Sequence, residues 1–241
     1  MGDVILGVKG LRKSFGRVVA LDGLSFELMR GEIFALIGPN GAGKSTTLRI
    51  LATVLQPDDG AFFLDNVSGT ARPELIRKNI SYLAEESMPY KNMRGMEYLR
   101  FMAALYAENE GEADKYTKLA INMSNLKERL DDKIKTYSKG MMRKLMIASS
   151  VMMEPQLAIM DEPTSGLDIE NAFYVRKQLK SLKEKGITIL LSSHNMLEIE
   201  YLADRVGIIN KGRLLTMGTP QELKKRFKAD NLEQVFMEVA E

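Results

Sequence analysis

Apolar and polar residues alternate in some segments of the chain and follow a helical spacing in others. In LSFEL (24–28) every second residue is apolar, which predicts a strand with one buried face. IFALI (33–37) is apolar throughout and is followed by Gly38, a pattern typical of a strand buried on both faces. Residues 44–55 carry leucines at helical spacing. The first part of the chain therefore predicts short strands over 4–30, then a buried strand and a helix.

The strand pattern is then interrupted by a helical region before it returns. Residues 93–130 and about 138–153 have helical spacing and no strand signals, and Ser138 could cap the second of these helices. Strands are predicted again at LAIMD (157–161) and ITILLSS (187–193), with a long helix over about 169–185 between them. Because strands that alternate with helices form mostly parallel sheets, we predict an α/β fold with a helical insertion.

The composition is that of an ordinary globular protein, with 45% hydrophobic and 27% charged residues. The net charge of +2 indicates no strong attraction to nucleic acid or to an anionic membrane. The absence of cysteine excludes disulfides and thiolate zinc sites and fits a reducing compartment. The N-terminal apolar run is too short for a signal peptide, and no stretch reaches the roughly 18 continuous apolar residues of a membrane helix. We therefore expect a soluble chain that binds neither nucleic acid nor zinc, although it can still dock on a membrane protein.

The segment GPNGAGKS (38–45), called the phosphate loop below, has the pattern G-x-x-x-x-G-K-S. It follows a buried strand and opens a helix, so its glycines allow backbone N–H groups to converge on phosphate oxygens. Lys44 supplies a charge for the β- and γ-phosphates, and Ser45 offers a hydroxyl to Mg²⁺. A simple glycine-rich turn is the alternative, but the strand, the glycines, the lysine and the hydroxyl are all in place. The candidate ATP-binding residues of this segment are Gly38, Pro39, Asn40, Gly41, Ala42, Gly43, Lys44, Ser45 and Thr46.

Two carboxylates and a histidine follow the later strands. Asp161 ends the apolar strand LAIMD, where it can hold Mg²⁺ through water, and Glu162 can orient and deprotonate an attacking water. Acids after a strand are common on protein surfaces, but the upstream phosphate loop favours a catalytic pair. His194, the only histidine, follows ITILLSS, and we expect it at the same sheet edge as a sensor of the γ-phosphate.

The motifs occur in the order GPNGAGKST, YSKGM, LAIMDEPTSGLD and SSH. In this order and spacing the chain resembles, over nearly its whole length, the nucleotide-binding subunit of ABC transporters. The resemblance implies a P-loop NTPase (RecA-like) core with a mostly parallel sheet, an N-terminal antiparallel β subdomain and an α-helical subdomain. It also implies one ATPase domain, in which residues 1–85 and 155–228 form the core with the β subdomain. Residues 86–154 would form the helical subdomain and 229–241 a C-terminal tail.

The resemblance assigns further residues to ATP and Mg²⁺. Phe15 matches the aromatic residue that stacks on adenine, although it could equally be strand core. Glu85 stands where most of the family has a glutamine that contacts Mg²⁺ and the attacking water, and a carboxylate can also ligate Mg²⁺. The implied metal site therefore consists of Ser45, Glu85 and Asp161.

Other residues are implied to contact the ATP of a second subunit. The segment YSKGM (137–141), called the signature segment below, matches the family pattern LSGGQ, with Ser138 and Gly140 retained. Lys139 replaces a glycine, and its charge could lie near the γ-phosphate. Asp168, in SGLD, matches the loop that crosses to the second subunit.

The resemblance also implies the partners. Two copies, or this chain and a related ATPase subunit, would bind ATP head to tail and drive integral membrane permease subunits from the cytoplasmic face of the membrane. YSKGM, YLAEE and NLEQVFMEV resemble the bacterial and archaeal branch of sodium-exporter-like and drug-export subunits, so we expect export. Residues 86–102, rich in Met and Tyr, are predicted to line a groove for a helix of the membrane partner, although part of them could be ordinary helix core.

The alternative to a transporter subunit is a soluble ABC-type ATPase in DNA repair or translation. Such proteins usually carry two ATPase units, long coiled coils or zinc hooks, which this sequence lacks.

Overall fold

The computed structural model of the protein describes residues 3–240, which form two β-sheets and several helices. The strands are β1 (Val4–Phe15), β2 (Val18–Met29), β3 (Ile33–Ile37), β4 (Asp59–Leu64), β5 (Val67–Ser68), β6 (Ile80–Leu83), β7 (Leu157–Asp161), β8 (Thr188–Ser193), β9 (Arg205–Asn210) and β10 (Arg213–Gly218). The helices are α1 (Lys44–Leu51), α2 (Pro73–Arg77), α3 (Gly95–Tyr106), α4 (Glu110–Ser124), α5 (Lys139–Val151), α6 (Ile169–Glu184), α7 (Met196–Leu202), α8 (Pro220–Phe227) and α9 (Leu232–Ala240). Within these residues, no helix combines the length and the apolar character needed to cross a membrane.

The larger sheet has six strands in the order β10-β9-β3-β8-β7-β6. All neighbouring strands are parallel except β10 and β9, which form an antiparallel hairpin. The smaller sheet is antiparallel, with the order β2-β1-β4-β5. The predicted α/β fold, with its mostly parallel sheet and N-terminal antiparallel β subdomain, is confirmed.

The apolar side chains form three clusters. The first joins the two sheets through residues such as Phe34 and Phe62, and the second lies on the other face of the larger sheet, where it includes Ile37. Alternate residues of β3 point into these two clusters, which is why its sequence is apolar throughout. The third cluster belongs to the helices α3, α4 and α5 and includes Leu99 and Leu145. The helical region therefore has its own core beside the sheets.

Some elements differ from the sequence predictions. The helix predicted over 44–55 ends at Leu51, because Thr53 has a left-handed backbone with φ 59° that cannot continue a helix. The helices α2, α7 and α9 are not predicted by the pattern. Within the predicted C-terminal tail, α9 packs against the sheet with Leu232 and Val235 fully buried in the second cluster.

Candidate functional site

The carboxyl ends of three parallel strands meet at one edge of the larger sheet. Ile37 of β3 is in register with Ser193 of β8, and Asp161 of β7 is in register with Ser192. The segments that follow these strands therefore emerge side by side, which brings the phosphate loop, the carboxylate pair and the histidine together. Ligands of open α/β sheets bind at this edge.

The phosphate loop is packed so closely that only glycine fits at two of its positions. A Cβ atom on Gly38 would lie 2.2 Å from the carbonyl oxygen of Ile209. Gly43 has φ 108°, and a Cβ there would lie 2.6 Å from the carbonyl oxygen of Ala20 on β2. The glycines therefore let the loop lie directly on neighbouring backbone while its N–H groups remain available for a ligand.

Lys44 is buried inside the loop. Its ammonium donates hydrogen bonds to the carbonyl oxygens of Gly38 at 2.8 Å and Pro39 at 3.1 Å, and it lies 4.0 Å from Oε1 of Glu162. Burial lowers the pKa of the Lys44 ammonium, and nearby carboxylates, Glu162 first among them, oppose that shift. A desolvated ammonium held only by neutral carbonyls and one carboxylate is well suited to a phosphate anion.

Glu162 is held from several sides. Its Oε2 lies 2.9 Å from Nδ1 of His194. Its backbone N–H donates to Oγ of Ser192 at 3.0 Å, and that hydroxyl donates to Oδ1 of Asp161 at 2.5 Å. Its backbone is left-handed, with φ 48°, so neighbouring contacts must hold it in an unfavourable conformation. The carboxylate is 7% exposed, whereas the side chain of His194 is 56% exposed, so Glu162 is fixed and His194 faces the open side.

Arg143 on α5 contacts the same region from the helical side. This buried guanidinium donates through Nη2 to the backbone carbonyl oxygen of Glu85 at 3.2 Å and to that of Glu162 at 3.1 Å. Burial lowers the pKa of Arg143, while the carboxylates of Glu85, Asp161 and Glu162, in that order, oppose the shift. The site therefore contains two buried cations, Lys44 and Arg143, around its carboxylates.

Glu85 and Phe15 both lie at exposed positions. The carboxylate Oε1 of Glu85 accepts a hydrogen bond from Oγ of Ser165 at 3.4 Å. Phe15 ends β1 at the turn into β2, where its ring is 48% exposed and its centroid lies 5.8 Å from the ammonium of Lys13. An exposed ring at a strand end is available for stacking and does not belong to the strand core.

The signature segment packs against the loop and helix that follow Glu162. Oγ of Ser138 accepts the backbone N–H of Met141 at 3.2 Å and caps α5, as predicted. A Cβ on Gly140 would lie 2.3 Å from Cγ of Asn171, and a Cβ on Gly166 would lie 2.0 Å from Nζ of Lys139. In the single chain the ammonium of Lys139 therefore rests on the SGLD loop.

Asp168 caps α6 through two hydrogen bonds with one residue. Its carboxylate accepts the backbone N–H and the side-chain amide of Asn171, each at 2.8 Å. The backbone hydrogen bond, followed by the side-chain one, lowers the pKa of Asp168. The amide of Asn171 thus lies between Asp168 and Gly140 and joins the SGLD loop to the signature segment.

Three residues of this region are missing from the sequence prediction: Arg143, Asn171 and Ser192. Arg143 carries a weak signal, because it lies three positions after Gly140 and four before the buried Ile147, on the inward face of a predicted helix. Asn171 and Ser192 carry none, since an asparagine in a first helical turn and a serine at a strand end are common anywhere.

A separate cleft lies between the helical region and the larger sheet. Its volume is about 460 Å³. It is lined by Val54 after α1, by Tyr98, Met102 and Tyr106 of α3, by Ser81 of β6, by Met146 of α5 and by Met153 just after α5. The hydroxyl of Ser81 is buried and has no hydrogen-bond partner within residues 3–240.

The predicted docking stretch 86–102 has a divided structure. Met88 and Tyr90 are 67% and 61% exposed, and the ring of Tyr90 packs edge-on against Phe101. Met93 and Met96 pack against the helical core instead. The stretch therefore contains exposed apolar side chains as well as members of the helical core, and the docking groove stays a prediction.

The chain is similar to known ATP-binding subunits of ABC transporters. The sequence model of the family described as "ABC transporter" matches residues 21–165. The linearmycin resistance ATP-binding protein LnrL of Bacillus subtilis is 35% identical over 231 residues, which are 96% of this chain and 74% of that protein. The daunorubicin/doxorubicin resistance ATP-binding protein DrrA of Streptomyces peucetius is 37% identical over 215 residues, 89% of this chain and 65% of that protein. A solved structure described as the ATP binding subunit of an ABC transporter matches with a TM-score of 0.85 at 31% identity and covers 98% of this chain and 100% of its own.

Proposed function

The chain belongs to the ABC transporter family of ATP-binding subunits, whose members are ATPases, and from this premise we propose that it hydrolyses ATP to drive export through separate membrane subunits. The observation that carries the proposal is the position of Glu162 between Lys44 and His194 at the sheet edge. The two relatives described above are drug-resistance ATP-binding proteins by name, which favours a transporter over an ATPase of DNA repair or translation.

The residues at the sheet edge have distinct roles in this proposal. The backbone N–H groups of the phosphate loop and the ammonium of Lys44 bind the β- and γ-phosphates. Glu162 accepts a proton from the attacking water at its carboxylate, and His194 keeps that carboxylate oriented through Nδ1 and contacts the γ-phosphate. Phe15 provides an exposed ring for the adenine.

The residues present also fit Mg²⁺. Within residues 3–240 no group of three His, Cys, Asp or Glu side chains forms a metal cage. Mg²⁺ commonly needs only one or two carboxylates beside substrate phosphates and water, and Asp161, Ser45 and Glu85 are the residues that would hold it. When bound, the ion would neutralise phosphate charge during the transfer. Ser192 fixes Asp161 for this role through its hydroxyl.

The second half of each site comes from another copy of this chain or from a related subunit. Ser138 and Gly140 present the N-terminus of α5, where free N–H groups favour phosphate. Asp168 lies beside them in the SGLD loop, and the ammonium of Lys139 contacts Gly166 of the same loop. In this arrangement Lys139 either remains on Gly166 of its own chain or turns to the partner's γ-phosphate.

The cleft between α3, α5 and the larger sheet is the docking surface for the membrane subunits. Its lining combines apolar and polar side chains and includes Met102, Met146 and Met153, flexible residues that adapt to an inserted helix. Met88 and Tyr90 extend the exposed apolar surface of the same region. The subunit would therefore lie on the cytoplasmic face of the membrane without entering it.

Replacing Glu162 with Gln tests the proposed hydrolysis. The amide keeps the shape but cannot accept the proton, so we expect kcat to fall by about 10²–10⁴-fold, the usual contribution of a general base. ATP binding should persist, and a dimer should accumulate with ATP on size exclusion. Glu32→Gln is a matched control, because Glu32 is 7% exposed and Glu162 6%, yet Glu32 pairs with Arg205 at the opposite end of the sheet. A fully active Glu162→Gln protein would refute the assigned base.

A further inference from the structure

The helix α5 reaches two places that the proposed function uses separately. Its first turn holds Ser138 and Gly140, which face the ATP of the second subunit. One turn further, Arg143 enters the site of its own chain and contacts the backbone of Glu85 and Glu162. One rigid helix therefore joins the signature segment of one site to the carboxylate of the other.

The contacts of Glu162 explain why this link matters. Its left-handed backbone is unfavourable for a residue with a side chain, so its carbonyl and N–H need fixed partners. Ser192 on the sheet holds the N–H, whereas the carbonyl accepts from Arg143 on α5 and from the backbone N–H of Ser165 in the next turn. The sheet thus fixes the peptide group before Glu162, and the helical region helps to fix the peptide group after it.

The same guanidinium also holds the chain segment that leads into the helical region. Glu85 lies two residues after β6, and its carbonyl shares Nη2 of Arg143 with that of Glu162. Oε1 of Glu85 accepts from Ser165, and Lys139 rests on the neighbouring Gly166. Any rotation of α5 against the larger sheet must therefore stretch or break these contacts.

We propose that Arg143 is a positioning residue that holds Glu162 in its active conformation only when α5 is docked on the sheet edge. This inference rests on the proposed function, because Glu162 needs a fixed position only if it is the base that activates water. When the signature segment closes on the partner's ATP, or when the docking cleft moves, α5 shifts against the sheet. Arg143 transmits this displacement to Glu162. Hydrolysis is thereby coupled to the position of the helical region.

The experiment compares Arg143→Gln and Arg143→Lys with the wild-type protein. In Arg143→Gln we expect kcat to fall about 100-fold, the effect of a misplacement of about 1 Å, while ATP affinity changes less than about threefold. Hydrogen exchange in the ATP-free protein should become faster in segments 84–88 and 161–168. Arg143→Lys, which can donate to one carbonyl at a time, should recover part of the rate and part of the protection.

Arg205→Gln is the control for loss of a partly buried arginine, because Arg205 pairs with Glu32 away from the site. It should lower stability without changing kcat or the exchange of these two segments. The proposal is overturned if Arg143→Gln leaves the two segments equally protected, or if ATP affinity falls as far as kcat. Hydrogen exchange needs no turnover. A wild-type protein that does not hydrolyse ATP would therefore refute the proposed function, but the exchange data would still decide whether Arg143 positions Glu162.

Discussion

Gly140 leaves room for the side chain of Asn171 and, in the proposed function, for the partner's phosphate. A pair of substitutions can separate these two roles. In Gly140→Ala the new Cβ would lie 2.3 Å from Cγ of Asn171, whereas ordinary contacts lie at 3.4–4 Å, so the amide must move by roughly 1 Å or more. That amide is held by Asp168, so it cannot swing aside without losing a hydrogen bond. Overpacking of this kind costs about 1–3 kcal/mol, and Ala in place of Gly in a helix returns up to about 1 kcal/mol. We expect a net loss of about 0–3 kcal/mol in the free energy of unfolding.

The double variant Gly140→Ala/Asn171→Ala removes the atoms that clash. Urea denaturation of the wild type, both single variants and the double variant gives a coupling energy, which we expect at about 1–3 kcal/mol, within the range for residues in contact. The ATPase rate should behave differently. If the signature segment contacts the partner's ATP through the open first turn of α5, the methyl group obstructs phosphate in both variants. Stability then returns in the double variant, and the low ATPase rate does not.

Two results would refute this reasoning. A coupling energy near zero would mean that Asn171 does not fill the space above Gly140. Recovery of the ATPase rate together with stability would mean that Gly140 is needed for packing on Asn171 alone. Asn171→Ala by itself is the reference for the lost cap of α6.

Two further predictions concern buried polar groups. Ser81→Ala should raise the free energy of unfolding by about 1 kcal/mol in urea denaturation, because a buried hydroxyl without a partner costs about 1–3 kcal/mol; unchanged or lower stability would show that its hydroxyl is satisfied in solution. Burial raises the pKa of Glu32 above its ordinary 4.5, so the folded state holds a proton that the unfolded state has lost, and its contribution to stability falls as pH rises from 4.5 through the folded pKa. Glu32→Gln should remove this part of the pH dependence in thermal melts between pH 4.5 and 7, and an identical slope in both proteins would contradict it.

The sequence predicts the elements whose signals are local. The phosphate loop, the capping serine at 138 and the apolar strand that ends at Asp161 each depend on neighbouring residues, and the structure has them where the patterns put them. The order of these motifs then indicates which strands share an edge. The α/β fold and the sheet edge at which a ligand is expected can thus be predicted from the sequence.

The remaining features depend on contacts between distant residues. Arg143 and Glu162 are 19 positions apart, and Arg143 and Glu85 are 58 apart. No periodicity in the sequence predicts that one arginine will donate hydrogen bonds to two carbonyl oxygens. The packing of Asn171 on Gly140 has the same origin, because it depends on how α5 and α6 approach each other. Lys139 illustrates the limit: comparison with the family pattern LSGGQ marks it as unusual, and only the fold places its ammonium against Gly166.

The position of β3 has a consequence for synthesis on the ribosome. β1 and β2 are joined by a tight turn and can pair soon after they emerge, but both neighbours of β3, β8 and β9, lie more than 150 residues later. At about 5–20 residues per second, the 173 residues between Ile37 and Asn210 take roughly 9–35 s to be made. During that time the apolar residues of β3 lack their partners and are a natural substrate for chaperones. The nucleotide cradle is encoded in the first fifth of these 241 residues, and it can be assembled only after nearly nine-tenths of them have been translated.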